Sequence, residues 1–401
     1  MERHETIIVG GGQAGLAMSY HLRERGHAHV LIERNQLGGR WHSERWDSLH
    51  FQFPNWALSL PGHAYAGDDP EGFSHYSKVI DFLDDYARLV DPLLRHAEIE
   101  RVSHRDGELR LETSDGEFAA RNVVLATGAF PQPSVPPFAH QMSPEIHQLH
   151  SSTYRRPGEL PPGGVLIIGS GSSGGQIAEE LHQAGRRVFL SVSRHRAFPR
   201  RMFGKDMLWW LYELGWIDRT IDSFGDRRPP PAILVTGIDG GHDLDVRKFA
   251  ADGMTLLGRM VGADGNWLWF KDNLDETLAE TDAECAAFCA AVTTRAQQLG
   301  MDPPGEQTHE WSMPPSSGDR LDLKTKGIGS IVWCTGYRPA FGWIDIPVFV
   351  AGGAPIQQRG TTACPGLYFL GLHWMHSLKS GALFGVGEDA EFIAERIHAG
   401  H

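Results

Sequence analysis

Two glycine triplets of identical spacing are the residues best suited to chemistry in this 401-residue chain: Gly10-x-Gly12-x-x-Gly15 and Gly169-x-Gly171-x-x-Gly174. Each follows a short apolar run (Thr6 to Val9; Gly164 to Ile168) and precedes a helical pattern (Leu16 to Arg25; about Gln176 to Ala184). In such a unit the first glycine turns the chain tightly off the strand, and the second lets backbone approach a pyrophosphate. The third lets helix and strand pack closely, so the helix start presents free N–H groups and the positive end of its dipole to the phosphates. Gln13 and Ala14 occupy that start in the first copy, Ser172 and Ser173 in the second.

The two copies differ where a ribose would lie. The strand after the first, Ala28 to Ile32, ends in Glu33-Arg34, and a carboxylate there takes ribose hydroxyls and repels a 2′-phosphate. The strand after the second, Arg187 to Val192, ends in Ser193-Arg194-His195-Arg196, and Arg194 pairs with a 2′-phosphate. The expectation is FAD on the first site and NADPH, in preference to NADH, on the second. Two such sites in one chain imply hydride transfer between two bound dinucleotides.

The elements around these sites read as α/β, with two Rossmann-like dinucleotide-binding domains in the manner of a glutathione-reductase-like two-domain flavoprotein. The expected division is 1–160 plus 325–401 for the FAD domain and 161–324 for the NADPH domain. Between the copies lie Leu37-Gly38-Gly39-Arg40-Trp41 and an aromatic loop, Arg45 to Trp56, in which Trp41, Trp46 and His50 could wall a flat ligand. Ser77 to Arg88 has helical spacing. Glu98 to Val102 (with Ile99), Glu108 to Thr113 and Glu117 to Ala120 alternate around an Asp115-Gly116 turn and suggest a small antiparallel meander. Asn122 to Phe130 is an apolar strand ending in Ala126-Thr127-Gly128, followed by a proline-rich linker from Pro131. Further on, Pro229 to Pro231 breaks the chain and Leu274 to Leu299 is a long helical pattern. Lys324 to Gly336 holds a buried strand ending in Cys334-Thr335-Gly336. The tail offers Gly366 to Leu372, with Gly371, and then Gly385-Val386-Gly387-Glu388 opening a helix suited to the O2 edge of an isoalloxazine ring.

Composition narrows the rest. A hydrophobic share of 41% and a charged share of 22% are those of an ordinary globular protein with room for two to three cores. A net charge of −13 argues against nucleic acid or an anionic membrane surface as partner. The first strand begins too early for a signal peptide, and no apolar run approaches the roughly 20 residues of a membrane helix. Cys285, Cys289, Cys334 and Cys364 form no Cys-x-x-Cys, and no His-Glu-x-x-His occurs, so neither a redox dithiol of that spacing nor a metal site is indicated. A reduced, cytoplasmic protein is expected. The partners this reading admits are a small-molecule substrate, dioxygen and a second copy of the chain in a homodimer.

These motifs together resemble the flavin-containing monooxygenase family, which includes N- and S-oxygenating enzymes, the plant YUCCA enzymes and, more distantly, Baeyer–Villiger monooxygenases. The resemblance spans essentially the whole chain and is closest to bacterial members with the stretches seen here as Pro54-Asn55-Trp56 and Leu60-Pro61-Gly62. It implies that NADPH reduces FAD, that dioxygen adds at flavin C4a, and that the resulting (hydro)peroxide transfers one oxygen atom to substrate. Asn55 matches a family asparagine beside the flavin that supports the oxygenated intermediate. Trp374, His376 and Lys379 could line the substrate side. One departure concerns the family's Phe-x-Gly-x-x-x-His-x-x-x-(Tyr, Phe or Trp) motif. His150 and Tyr154 keep its second half, but Phe138 is displaced and the glycine is absent. The expected reaction is N- or S-oxygenation. Ester insertion or oxidative decarboxylation of a carbonyl substrate is the alternative, and an oxidase or electron-transfer reductase, or a non-catalytic flavin sensor, are the rivals.

Overall fold

The computed structural model describes residues 1–128, 132–224, 230–302 and 318–400; Ala129, Phe130, Pro131 and Pro229, which figure in the expected strand, linker and chain break, lie outside the described residues. Ile7, Ile8 and Val9 are apolar on both sides of their strand, which requires a sheet covered on both faces. Glu2–Val9 accordingly pairs in parallel with His29–Glu33 on one side and with Gly116–Leu125 on the other. The sheet runs Ile344–Asp345, Ile99–Arg105, Glu108–Thr113, Gly116–Leu125, Glu2–Val9, His29–Glu33, Leu94–His96. The meander is present, but its third strand and the expected 122–130 strand are one continuous element. Residues 116–120 pair antiparallel with Glu108–Thr113, and where that partner ends, Leu367–Phe369 joins in parallel opposite residues 123–125.

The second sheet is wholly parallel: His147–His150, Ile328–Trp333, Gly164–Ile168, Val188–Ser191, Thr255–Leu257. Its second strand comes from beyond residue 324 and its first from before 161, so this sheet reaches outside the segment expected for it. The reason is physical: Ile331 and Val332 are fully buried and need neighbours on both sides, which a sheet centre supplies. The chain passes between the sheets twice, side by side, where Gln132–Pro133 pairs antiparallel with Tyr337–Arg338.

Helices cover both sheets. Tyr76–Val90 buries Val79, Phe82, Leu83, Tyr86 and Val90, a spacing of three and four that keeps one stripe on the core. Leu274–Gln298 spans two cores, with Leu274 and Leu278 packed in that of the second sheet and Phe288, Val292 and Ala296 in that of the first. Its Phe288 ring stacks on Phe198 at 4.2 Å.

Candidate functional site

The two glycine triplets fold into matching cradles. Gly10 and Gly169 both take a positive φ, +104° and +101°. A β-carbon on Gly10 would sit 2.6 Å from Ala126 O, and one on Gly169 would sit 2.5 Å from Cys334 O. The strand ends Ala126-Thr127-Gly128 and Cys334-Thr335-Gly336 therefore each lean on the first glycine of a cradle. At the third glycine, Gly15 or Gly174, a β-carbon would lie 1.9 Å from the carbonyl oxygen of the first. At the second, Gly12 or Gly171, it would meet nothing within 4 Å. Those two positions cap the helices Gln13–Glu24 and Ser172–Gln183, and neither helix has a side-chain cap or an acid in its first turn. Open space thus faces uncapped helix N–H groups at both places, which suits a pyrophosphate.

Glu33 ends its strand with the carboxylate turned to the first cradle: Oε2 accepts Gly11 N–H at 2.7 Å and Oε1 accepts Asn35 N–H at 2.9 Å. Arg34 points elsewhere, donating to Glu98 at 3.0 Å. At the second cradle the Ser170 and Ser193 hydroxyls and backbone interlock, with Ser170 Oγ donating to Ser193 O at 2.9 Å. Arg194 projects outward, its side chain 64% exposed and loosely paired with Glu280 at 3.5 Å. His195 turns inward, 3% exposed, with Nδ1 on Ser193 O at 2.8 Å. Burial holds its imidazole below the usual range.

The C-terminal segment closes over the first cradle. A β-carbon on Gly371 would be 2.6 Å from Ala14 Cβ, and Gln13 Nε2 donates to Gly381 O at 2.8 Å. Gly387, in the first turn of the helix Val386–His398, abuts Pro61. The next residue, Glu388, accepts from Lys379 Nζ at 2.5 Å, and Asp218 takes the same ammonium at 2.6 Å. Burial works against the Lys379 charge, but these two carboxylates outweigh it and hold its pKa above the usual lysine value. Trp374 is buried in a left-handed conformation (φ +56°), its indole N–H without an acceptor among the described residues.

The segment from Gly38 to Ser74 spans the two halves. Gly38 N–H donates to Gly11 O at 3.0 Å, bringing the short helix Gly39–Ser43, with Arg40 and Trp41, to the first cradle. Arg40 pairs with Glu44 at 3.6 Å, and the Arg45 guanidinium lies 4.4 Å over the Trp41 ring. Trp46 does not join them; it is buried in the core of the second sheet with Tyr154, Leu160 and Val165. His50 packs edge-on to His75. Asn55 is buried, and its amide ties the loop to itself: Nδ2 donates to Asp69 O and Oδ1 accepts Ser74 N–H, each at 2.8 Å. Ile99 lies at the edge of the first core, in the strand Ile99–Arg105.

Sequence reasoning singled out His150 and Tyr154 without a role, and the geometry supplies one. His150 Nδ1 accepts Ser152 N–H at 3.1 Å, so Nε2 carries the proton and donates to Gly336 O at 3.0 Å. Tyr154 donates to Glu180 Oε2 at 2.7 Å, and Ser48 donates to Oε1 at 2.8 Å. Burial raises the Glu180 carboxyl above the usual carboxylate range, and these two hydroxyls offset only part of that rise. The motif clamps linker, second-cradle helix and aromatic loop together. Arg200 gives no sign of itself in the sequence, because a lone arginine after Phe198-Pro199 carries no periodic signal; it is 2% exposed and bonded to Asp206 at 2.7 Å.

Comparison with known proteins agrees with this architecture. Residues 7–203 match the pyridine nucleotide-disulphide oxidoreductase family model. The chain is 31% identical over 397 residues to an uncharacterised CzcO-like oxidoreductase of Geobacillus kaustophilus, covering 98% of each chain. It is 29% identical over 410 residues to the indole-3-pyruvate monooxygenase YUCCA6 of Arabidopsis thaliana, covering 98% of this chain and 89% of that one. Among solved structures it is similar in fold to a flavin-containing monooxygenase from Stenotrophomonas maltophilia, with TM-score 0.69 and 21% identity over 100% of this chain and 99% of that one.

Proposed function

This chain belongs to the flavin-containing monooxygenase family, and on that premise we propose that it places one oxygen atom of dioxygen on the nitrogen or sulfur of a small organic substrate. It is a flavin-dependent monooxygenase that uses FAD and NADPH. The observation that carries the two-cofactor part of this reading is the pair of matching glycine cradles, one ending in Glu33 and the other in Arg194. When bound, FAD supplies the oxygen-activating ring and NADPH the hydride.

On this reading the protein's own residues bind, orient and keep water out. Gly12 and the start of Gln13–Glu24 receive the flavin dinucleotide's pyrophosphate, and Glu33 keeps lone pairs free beyond its two backbone bonds for ribose hydroxyls. Gly371, Gly387 and the start of Val386–His398 take the ring end. Gly171, Ser172 and Ser173 receive the second pyrophosphate, and Arg194 exchanges its loose pair with Glu280 for the 2′-phosphate. Asn55 retains a second Nδ2 proton beyond its bond to Asp69 O, the donor this reading assigns to the reacting oxygen. A dithiol route is disfavoured: Cys285 and Cys289 lie on the Leu274–Gln298 helix, and Cys334 packs behind Gly174. No helix of the described residues is long and apolar enough to cross a membrane, and four free thiols suit a reducing cytoplasm.

The test is to bleach the purified yellow protein anaerobically with NADPH and with NADH, then admit air with methyl phenyl sulfide, N,N-dimethylaniline or a cyclic ketone. Faster bleaching by NADPH and a sulfoxide or N-oxide product are expected. Arg194→Ala should raise KM for NADPH by about ten- to a hundredfold and leave NADH unaffected. Ester from the ketone alone would redirect the reading to carbonyl chemistry, and stoichiometric hydrogen peroxide with every probe would remove the oxygenase.

A further inference from the structure

The loop that carries Asn55 is held by Arg200 and the helix Met207–Glu213, a segment that follows the second cradle in the chain but packs Met207, Leu208, Trp210 and Leu211 in the core of the first sheet. Its two limbs are first tied to each other: Phe51 N–H donates to Ser74 O at 2.7 Å, and Asn55 N–H to Gly72 O at 2.8 Å. Arg200 then reaches both limbs. Nη1 donates to Gln52 O at 2.7 Å on one, and the guanidinium carbon lies over Phe73, 4.2 Å from the ring centre, on the other. Nε donates to Asp206 Oδ2 at 2.7 Å, while Asp206 Oδ1 caps the helix Met207–Glu213 through Leu208 N–H at 2.8 Å. Phe73 is also crowded by Gly241, where a β-carbon would sit 2.5 Å from the ring, and Gly237 abuts Phe51 O. Arg201 donates to Gly240 O and Gly241 O at 2.7 and 2.9 Å, fixing that wall.

Stability alone is a poor reason for this arrangement. Arg200 and Asp206 are 2% and 3% exposed in their side chains, and Nη2 of the arginine is buried with no acceptor among the described residues. A desolvated ion pair with an unmet donor stabilises a fold no better than apolar side chains of the same size. What only a guanidinium supplies is three fixed directions at once: to the helix cap, to the Gln52 carbonyl and to the face of Phe73.

We propose that Arg200 is a positioning residue that locks the Asn55 loop onto the capped helix Met207–Glu213, so that the Asn55 amide keeps its place at the reacting face. The proposal rests on the preceding reading for what Asn55 does, but the lock itself is a property of the chain. Arg200→Lys keeps the charge and loses the fork. The double variant Arg200→Met with Asp206→Asn removes both charges and keeps the helix cap. Hydrogen exchange on the purified proteins is compared at 51–56 and 72–74, with the strands Gly164–Ile168 and Val188–Ser191 as controls, alongside peroxide released per NADPH in air. Both variants should exchange about tenfold or more faster in the loop with unchanged control strands, and release severalfold more peroxide per NADPH. Unchanged loop exchange in both variants would overturn the lock, as would loosening of the control strands to the same degree. A wild-type protein that fails to bind FAD sinks the reading of the site while leaving the exchange result to decide the lock.

Discussion

Glycine is the residue by which this site was most legible, and the structure separates what each glycine does. Gly15 is needed by the fold: an added methyl group would drive into Gly10 O at 1.9 Å. Gly12 borders open space, so its freedom matters only to whatever occupies that space. Gly15→Ala should therefore cost about 1–3 kcal/mol or more and lower the melting temperature of the apoprotein. Gly12→Ala should leave that temperature nearly unchanged while the purified protein loses its FAD. Equal melting losses in the two variants would refute the distinction. Glu33 and Arg194 were also readable, because charge against phosphate is a local rule. The inward turn of His195 was not, since its burial depends on residues distant in sequence, such as Thr281, which donates to His195 O at 3.1 Å.

Strands and helices were legible where one element matches one hydrophobic run, as in the Leu274–Gln298 helix, and less so where partners decide. Gly116–Leu125 reads as two strands because its pairing changes from antiparallel to parallel midway, which no period-two pattern records. Ile328–Trp333 echoes the Ala-Thr-Gly strand of the first half, yet it fills the second sheet; each cradle needs its own strand end to lean on. Trp46 shows the same limit at the loop between them. An aromatic beside paired glycines suggests a ligand wall, but Trp46 is buried, in the same core cluster as Tyr154, Leu160 and Val165. Trp46→Ala should therefore cost about 3–5 kcal/mol of stability, measurable by urea unfolding. A variant that keeps its unfolding midpoint and loses only flavin would restore the wall.

At the scale of the whole molecule, burial leaves several imidazoles better neutral than charged. His21, His29, His150, His195 and His373 are all held below the ordinary value near 6.5, chiefly by desolvation. Between their lowered values and about 6.5 the unfolded chain binds more protons than the folded one, so their contribution is complete above that pH and lost as pH falls through the window. His242, raised chiefly by its bond to Glu179, acts in the opposite sense, as do the burial-raised Asp206 and Glu180 carboxyls at lower pH. The five outnumber the one in the imidazole range. The melting temperature should fall from pH 7.5 to 5.5, and His195→Gln should flatten the slope; a curve that rises toward pH 5.5 would contradict this. The double crossing at Gln132–Pro133 and Tyr337–Arg338 has a consequence for manufacture. Residues 123–125 emerge from the ribosome some 240 positions before Leu367–Phe369, the strand that pairs with them. Until then the first sheet carries an open apolar edge, a place where nascent chains adhere to one another. The second sheet can close once residue 333 has been made, so the half that begins first finishes last.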